Sequence, residues 1–194
     1  MNVLSITPPR FVITLLLAAT MVATRFHHFG SALHLPDASL AVFFIAGFYL
    51  TGMLAFSVLL VAAGLIDYFA ITVGGVSDFC VTPAYWFLIP AYGVMWFAGR
   101  WSASKVQMRW QSLLPLFGSL FVASGIAFLI SNGAFYMLSG RFPDLSWVQY
   151  SERVASYYLP YVTAALGYVA FAAFTHWVVA TISQMRTLRS GRAG

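Results

Sequence analysis

Long apolar runs alternate with brief polar interruptions along this chain, and the interruptions mark where helices should stop. The first run, 11–25, lies between Arg10 and Arg25. The next stretch, Ala38 to Ile71, is apolar almost throughout and holds one acid, Asp67. As a single helix it would be about 50 Å long at ~1.5 Å per residue, too long for a hydrocarbon core of ~30 Å. A break near Gly47 to Gly52 resolves it into a short helix, 38–51, and a longer one, 53–71. Runs at 84–99, 110–130 and 155–182 bring the total to six. The pattern predicts an all-α membrane protein, with one transmembrane domain over residues 1–194.

Charge supports six spans over five. With both termini cytoplasmic, Arg10, Arg100, Lys105, Arg109, Arg186, Arg189 and Arg192 fall inside, and only Arg25, Arg141 and Arg153 fall outside. That is the bias of the positive-inside rule. Leaving 38–71 unbroken would put Arg100 to Arg109 on the side opposite Arg10. The first segment also has the short form and small-residue ending of a signal peptide. Its loss, however, would leave five spans and spoil the charge pattern.

Composition agrees with a membrane setting: 61% of residues are hydrophobic and 8% charged, against roughly 25% charged in soluble domains. The net charge of +5 does not indicate nucleic acid, because the basic residues are scattered over connections rather than striped on one face. No His-Glu-x-x-His, G-x-S-x-G or phosphate-binding Gly-rich loop occurs, so active transport would draw on a partner or a gradient.

The polar chemistry collects at the outer end of this arrangement. Asp37, Asp67, Asp78, Asp144 and Glu152 all fall there, as do His27, His28 and His34, whereas His176 lies deeper. Asp67 stands inside an apolar helix, where an ionisable group is costly and normally faces a cavity or a partner. The segment Ser131 to Arg153, rich in aromatics and glycine, reads as a long connection of the kind that forms lids and binding loops. Cys80 is the single cysteine, in Ser77-Asp78-Phe79-Cys80-Val81-Thr82-Pro83, so an internal disulfide is excluded. It is a buried spectator, a nucleophile, or a soft axial ligand to a metal already held in a macrocycle. Pro83 suits the first position of a helix, and a thiol just ahead of a helix N-terminus has its thiolate favoured by the dipole.

Six spans, a short second helix, and the small-xxx-small pair Ala19 and Ala23 on the first helix resemble the substrate-binding S-components of energy-coupling factor (ECF) vitamin transporters. The segment Asp78-Phe79-Cys80-Val81-Thr82-Pro83-Ala84-Tyr85, with His27-His28-Phe29-Gly30 after the first helix, is similar to the BtuM family of cobalamin transporters. The resemblance implies a multi-pass protein of the bacterial inner membrane that binds cobalamin at the outer face. Cys80 would be the lower axial ligand of cobalt. His28, Asp67, Tyr85 and Arg153 would surround the vitamin, His28 and Arg153 as donors to its amide carbonyls or phosphate. Asp67 would accept from its amides, and Tyr85 would pack on the ring edge. It further implies loss of the cyano ligand from cyanocobalamin assisted by Cys80. It also implies docking of an ECF coupling subunit, with two ATPases, on Ala19 and Ala23.

Two other readings use the same residues. His28 and His176 could be axial ligands of a haem, although they sit at different depths. Alternatively, Cys80 could be the nucleophile of a thiol-dependent membrane enzyme. A purely structural subunit would bind nothing and tolerate changes at Asp67 and Cys80.

Overall fold

A computed structural model describes residues 10–25, 35–105 and 110–190. Among them are six α-helices and no strand: α1 (Arg10–Arg25), α2 (Ser39–Tyr49), α3 (Met53–Thr72), α4 (Leu88–Lys105), α5 (Leu113–Leu138) and α6 (Trp147–Ser190). A 3-10 helix, Pro83–Phe87, leads into α4 with proline in its first turn. There the missing amide hydrogen costs nothing.

Helix α2 is the centre of the bundle. Ser39 to Phe44, Ala46 and Gly47 are all buried, so this helix is apolar on every side because every side faces protein. It ends where Leu50 turns extended and Gly52 caps α3, and Arg100 donates to the Thr51 carbonyl in that connection. At 11 residues it is ~16 Å long, about half a hydrocarbon core.

The seam between α2 and α4 is the tightest in the fold. Gly47 lies against the Trp96 carbonyl, and Gly99 against the Phe44 carbonyl and the Phe48 amide, with no space for a Cβ at either. Glycine permits this backbone-on-backbone approach. Aromatic rings fill the space beside it: Phe43 stacks on Tyr92 at 4.3 Å, and Phe56 meets Trp96 edge-on at 5.6 Å. The Ser102 and Ser119 hydroxyls, 2.6 Å apart, tie α4 to α5.

The outward faces are apolar as well. On α3, Phe56, Leu59, Ala63, Ile66 and Ala70 point inward, while Leu54, Val58, Val61, Leu65 and Phe69 are exposed. A contiguous apolar exterior of this kind is disfavoured in water and suited to lipid. Among the described residues three helical stretches, Met53–Thr72, Leu113–Leu138 and Trp147–Met185, are long and apolar enough to cross a membrane.

Helices α5 and α6 outrun the sequence pattern. The long connection expected over 131–153 shrinks to the residues between Leu138 and Trp147. Gly133 does not break α5: it is buried, and a Cβ there would meet the Tyr150 hydroxyl at 3.3 Å. Gly140, with φ +70°, lies in the turn that follows. The Tyr136 hydroxyl accepts the Ser146 amide at 2.7 Å and donates to Gln149 Oε1 at 2.9 Å, which fixes the entry into α6. Helix α6 has 44 residues and is therefore ~66 Å long, roughly twice a hydrocarbon core.

Candidate functional site

Arg25 organises one end of the bundle. It is the last residue of α1 and is buried. Its Nε and Nη2 donate to the two oxygens of Asp67 on α3 at 2.5 and 2.6 Å, a bidentate pair. Its Nη1 reaches Tyr92 of α4 at 2.7 Å, Ser39 of α2 at 2.9 Å and Asp37 at 3.3 Å. Asp37 also accepts the Ser39 amide and hydroxyl, at 2.9 and 2.6 Å, which places a carboxylate at the positive end of α2. One guanidinium thus joins four helices.

Asp67 has a third donor. The Tyr85 hydroxyl, in the 3-10 helix that follows Cys80, donates to its Oδ2 at 2.6 Å. A carboxylate accepts about four hydrogen bonds, so one position is left for anything else. The partner that makes Asp67 tolerable inside an apolar helix is Arg25, which the span count treats only as a charge at a helix end. A signal was present: Arg25 and Asp67 are opposite charges at the ends of apolar runs that meet at the same face.

Cys80 lies in the connection 73–82 and is exposed. Partial burial of its surroundings, and then Asp67, push the thiol above its ordinary value; Arg153, Arg25 and Arg141 act the other way without prevailing. Burial and Asp67 therefore outweigh the three cations, and the thiol is not lowered as its place ahead of a helix led one to expect. Plotted against pH, alkylation of Cys80 by iodoacetamide should have its midpoint above that of a free thiol. Arg141→Gln should move it further up, since a charge favouring the thiolate is removed; an unmoved midpoint would place Arg141 out of range.

Beside the thiol stands a cation–aromatic cluster. The Arg153 guanidinium on α6 lies over the rings of Phe142 and Tyr157, each at 5.0 Å, and Phe135 at 5.4 Å. Its buried Nε has no hydrogen-bond partner. Arg141 lies 4.6 Å from the ring of Phe79, the residue before Cys80, and Phe79 packs on Phe135 at 5.7 Å. Neither arginine has an acidic partner within ion-pair distance among the described residues. Arg141 is the member of this cluster that sequence reasoning passed over.

Asp67, Cys80, Tyr85 and Arg153 are thus gathered at one end of the bundle, whereas His28 lies outside the described residues. His176 is elsewhere. Its Nδ1 sits 3.0 Å from the Tyr49 hydroxyl at the far end of α2, and along α6 it is ~35 Å from Arg153. Ala19 and Ala23 are exposed on the face of α1 opposite Ile13, Leu17 and Met21. A groove of about 340 Å³ between α5 and α6 is lined by Gly133, Tyr136, Trp147 and Tyr150 and by none of the expected site residues.

No family model and no curated protein matches the chain. The chemistry of the site must therefore speak for itself. Among the described residues no three His, Cys, Asp or Glu side chains could hold a metal ion together. From the described residues, a metal meeting Cys80 would gain no second and third ligand of these types.

Proposed function

We propose that this chain binds a corrinoid, cobalamin, at the Cys80 end of the bundle and carries it across the bacterial inner membrane. In this reading it has six spans and cytoplasmic termini, in the manner of an ECF S-component. The observation that carries the reading is the exposed single thiol beside two arginines without acidic partners. A thiol is a soft axial donor to a metal held in a macrocycle, and flat rings with cations suit a large amphipathic ligand bearing amides and a phosphate.

In this reading the ligand lies where α5 and α6 run on past the short central helix. The Tyr161 and Ser131 hydroxyls, 3.3 Å apart, join α6 to α5. Beyond that contact α6 continues back to Trp147 for ~21 Å and α5 on to Leu138 for ~10 Å. Arg153 and Tyr85 would line that region, and Asp67 would offer its remaining acceptor position. The exposed Ala19 and Ala23 leave a small-residue face on α1 for a coupling subunit.

The test is an ultraviolet–visible spectrum of the detergent-purified protein from cells grown with cobalamin, beside Cys80→Ala. The expected result is a corrinoid spectrum in the wild type that is altered in the variant. Because the thiol proton competes with cobalt, the sulfur-bound form should grow as pH rises through the elevated thiol value. A colourless wild type that takes up no added cobalamin would sink the reading.

A further inference from the structure

The connection 73–82 that carries Cys80 is tied to α3 by the Val76 amide on the Ala70 carbonyl and to α5 by the ring of Phe79 on Phe135. Gly75, at φ +67°, turns it out of α3, and inside it the Val81 amide donates to Asp78 and the Thr82 amide to Cys80. On the other side of the thiol, Ala84 is buried and Tyr85, five residues after Cys80, adds the polar anchor, a 2.6 Å bond to Asp67 Oδ2. Asp67 is itself oriented by the bidentate grip of Arg25, and Arg25 is held in turn by Tyr92 and Ser39. The chain of contacts runs from α1 to the 3-10 helix without a gap.

We propose that Arg25 is a positioning residue for Cys80, acting through Asp67 and Tyr85 to fix the 3-10 helix behind the thiol. Arg25 does not touch the ligand. All three of its guanidinium nitrogens are spent on protein acceptors. Its effect is to make the end of α1 and the Cys80 segment one body. That this geometry serves a ligand rests on the corrinoid reading; the geometry itself does not, and it is tested without a corrinoid.

Cys80 is the single cysteine, so maleimide labelling reports on it alone. The measurement is the ratio of its labelling rates by a polyethylene-glycol maleimide and by N-ethylmaleimide in detergent-purified protein. The thiolate fraction cancels in this ratio, leaving only access. Two variants break the chain at different links: Tyr85→Phe removes one hydroxyl, and Arg25→Met with Asp67→Asn removes both charges together. Ser102→Ala, which cuts the Ser102–Ser119 bond at the other end of α4, is the control for general loosening. Loss of a charge-assisted anchor is expected to raise the ratio roughly tenfold in both test variants and to leave the control at the wild-type value. An unchanged ratio in Tyr85→Phe, which keeps the fold, overturns the proposal even if the double variant fails to purify. So does a rise of equal size in Ser102→Ala. A protein that binds no corrinoid still gives one of these results, so the two readings fail separately.

Discussion

Alanine in place of Gly99 is expected to lower bundle stability by about 3 kcal/mol, with Gly47→Ala similar, since overpacking at a rigid contact forces displacement. The obstacle at each position is main chain, the Phe44 or Trp96 carbonyl, which cannot rotate aside as a side chain would. The helices would have to separate, and α2 is buried on every side, so separation disturbs its packing against α1, α3 and α6 as well. The proper comparison is Gly64→Ala. Nothing lies within 4 Å of a Cβ at Gly64, and replacing a mid-helix glycine there should be neutral or favourable by about 0.5–1 kcal/mol. Thermal unfolding in detergent followed by circular dichroism checks both. If Gly99→Ala melts with the wild type, the close approach of α2 and α4 is wrong.

Arg25→Met alone should be among the most damaging single changes, costing about 3–5 kcal/mol, because it strands Asp67 and Asp37 without their cation. Adding Asp67→Asn should recover about 2 kcal/mol of that loss, the sign of a coupled pair. The asymmetry separates a buried ion network from mere packing of a long side chain. If the double variant is less stable than Arg25→Met, the loss lies in packing of the arginine stem and not in an unpaired acid.

Polar punctuation makes the helices readable. The interruptions at Leu50 to Gly52 and at 73–82 sit where the apolar pattern puts them, because a helix end needs water or caps for its free amides and carbonyls. Reading fails where tertiary contacts override residue type. Asn132, Gly133 and Tyr136 look like the start of a loop, yet the tilted rings of Tyr150 and Tyr136 meet across α5 and α6 at 5.2 Å where both helices continue. The candidate site is legible in parts: Cys80 by being single, Asp67 by standing in an apolar run. Arg25 is legible as a charge at the same face as Asp67 but not as the hub of four helices, because its partners are 12, 14, 42 and 67 residues away and no local pattern joins them. Arg141 and Arg153 are legible as charges but not as guanidinium groups lying on rings.

The wiring of Arg25 also bears on biosynthesis. In the six-span reading the helices would enter the bilayer in order, and α1 would emerge with its terminal guanidinium before either Asp67 or Tyr92 exists to receive it. Each charge must reach toward the interface in the meantime, since an isolated charge at the centre of the bilayer costs about 2.5–3.5 kcal/mol. Only when α4 has been synthesised are all the acceptors of Arg25 present. A nascent chain released before Tyr92 would therefore expose an incomplete polar cluster to lipid, a feature by which membrane quality control could tell an unfinished molecule from a finished one.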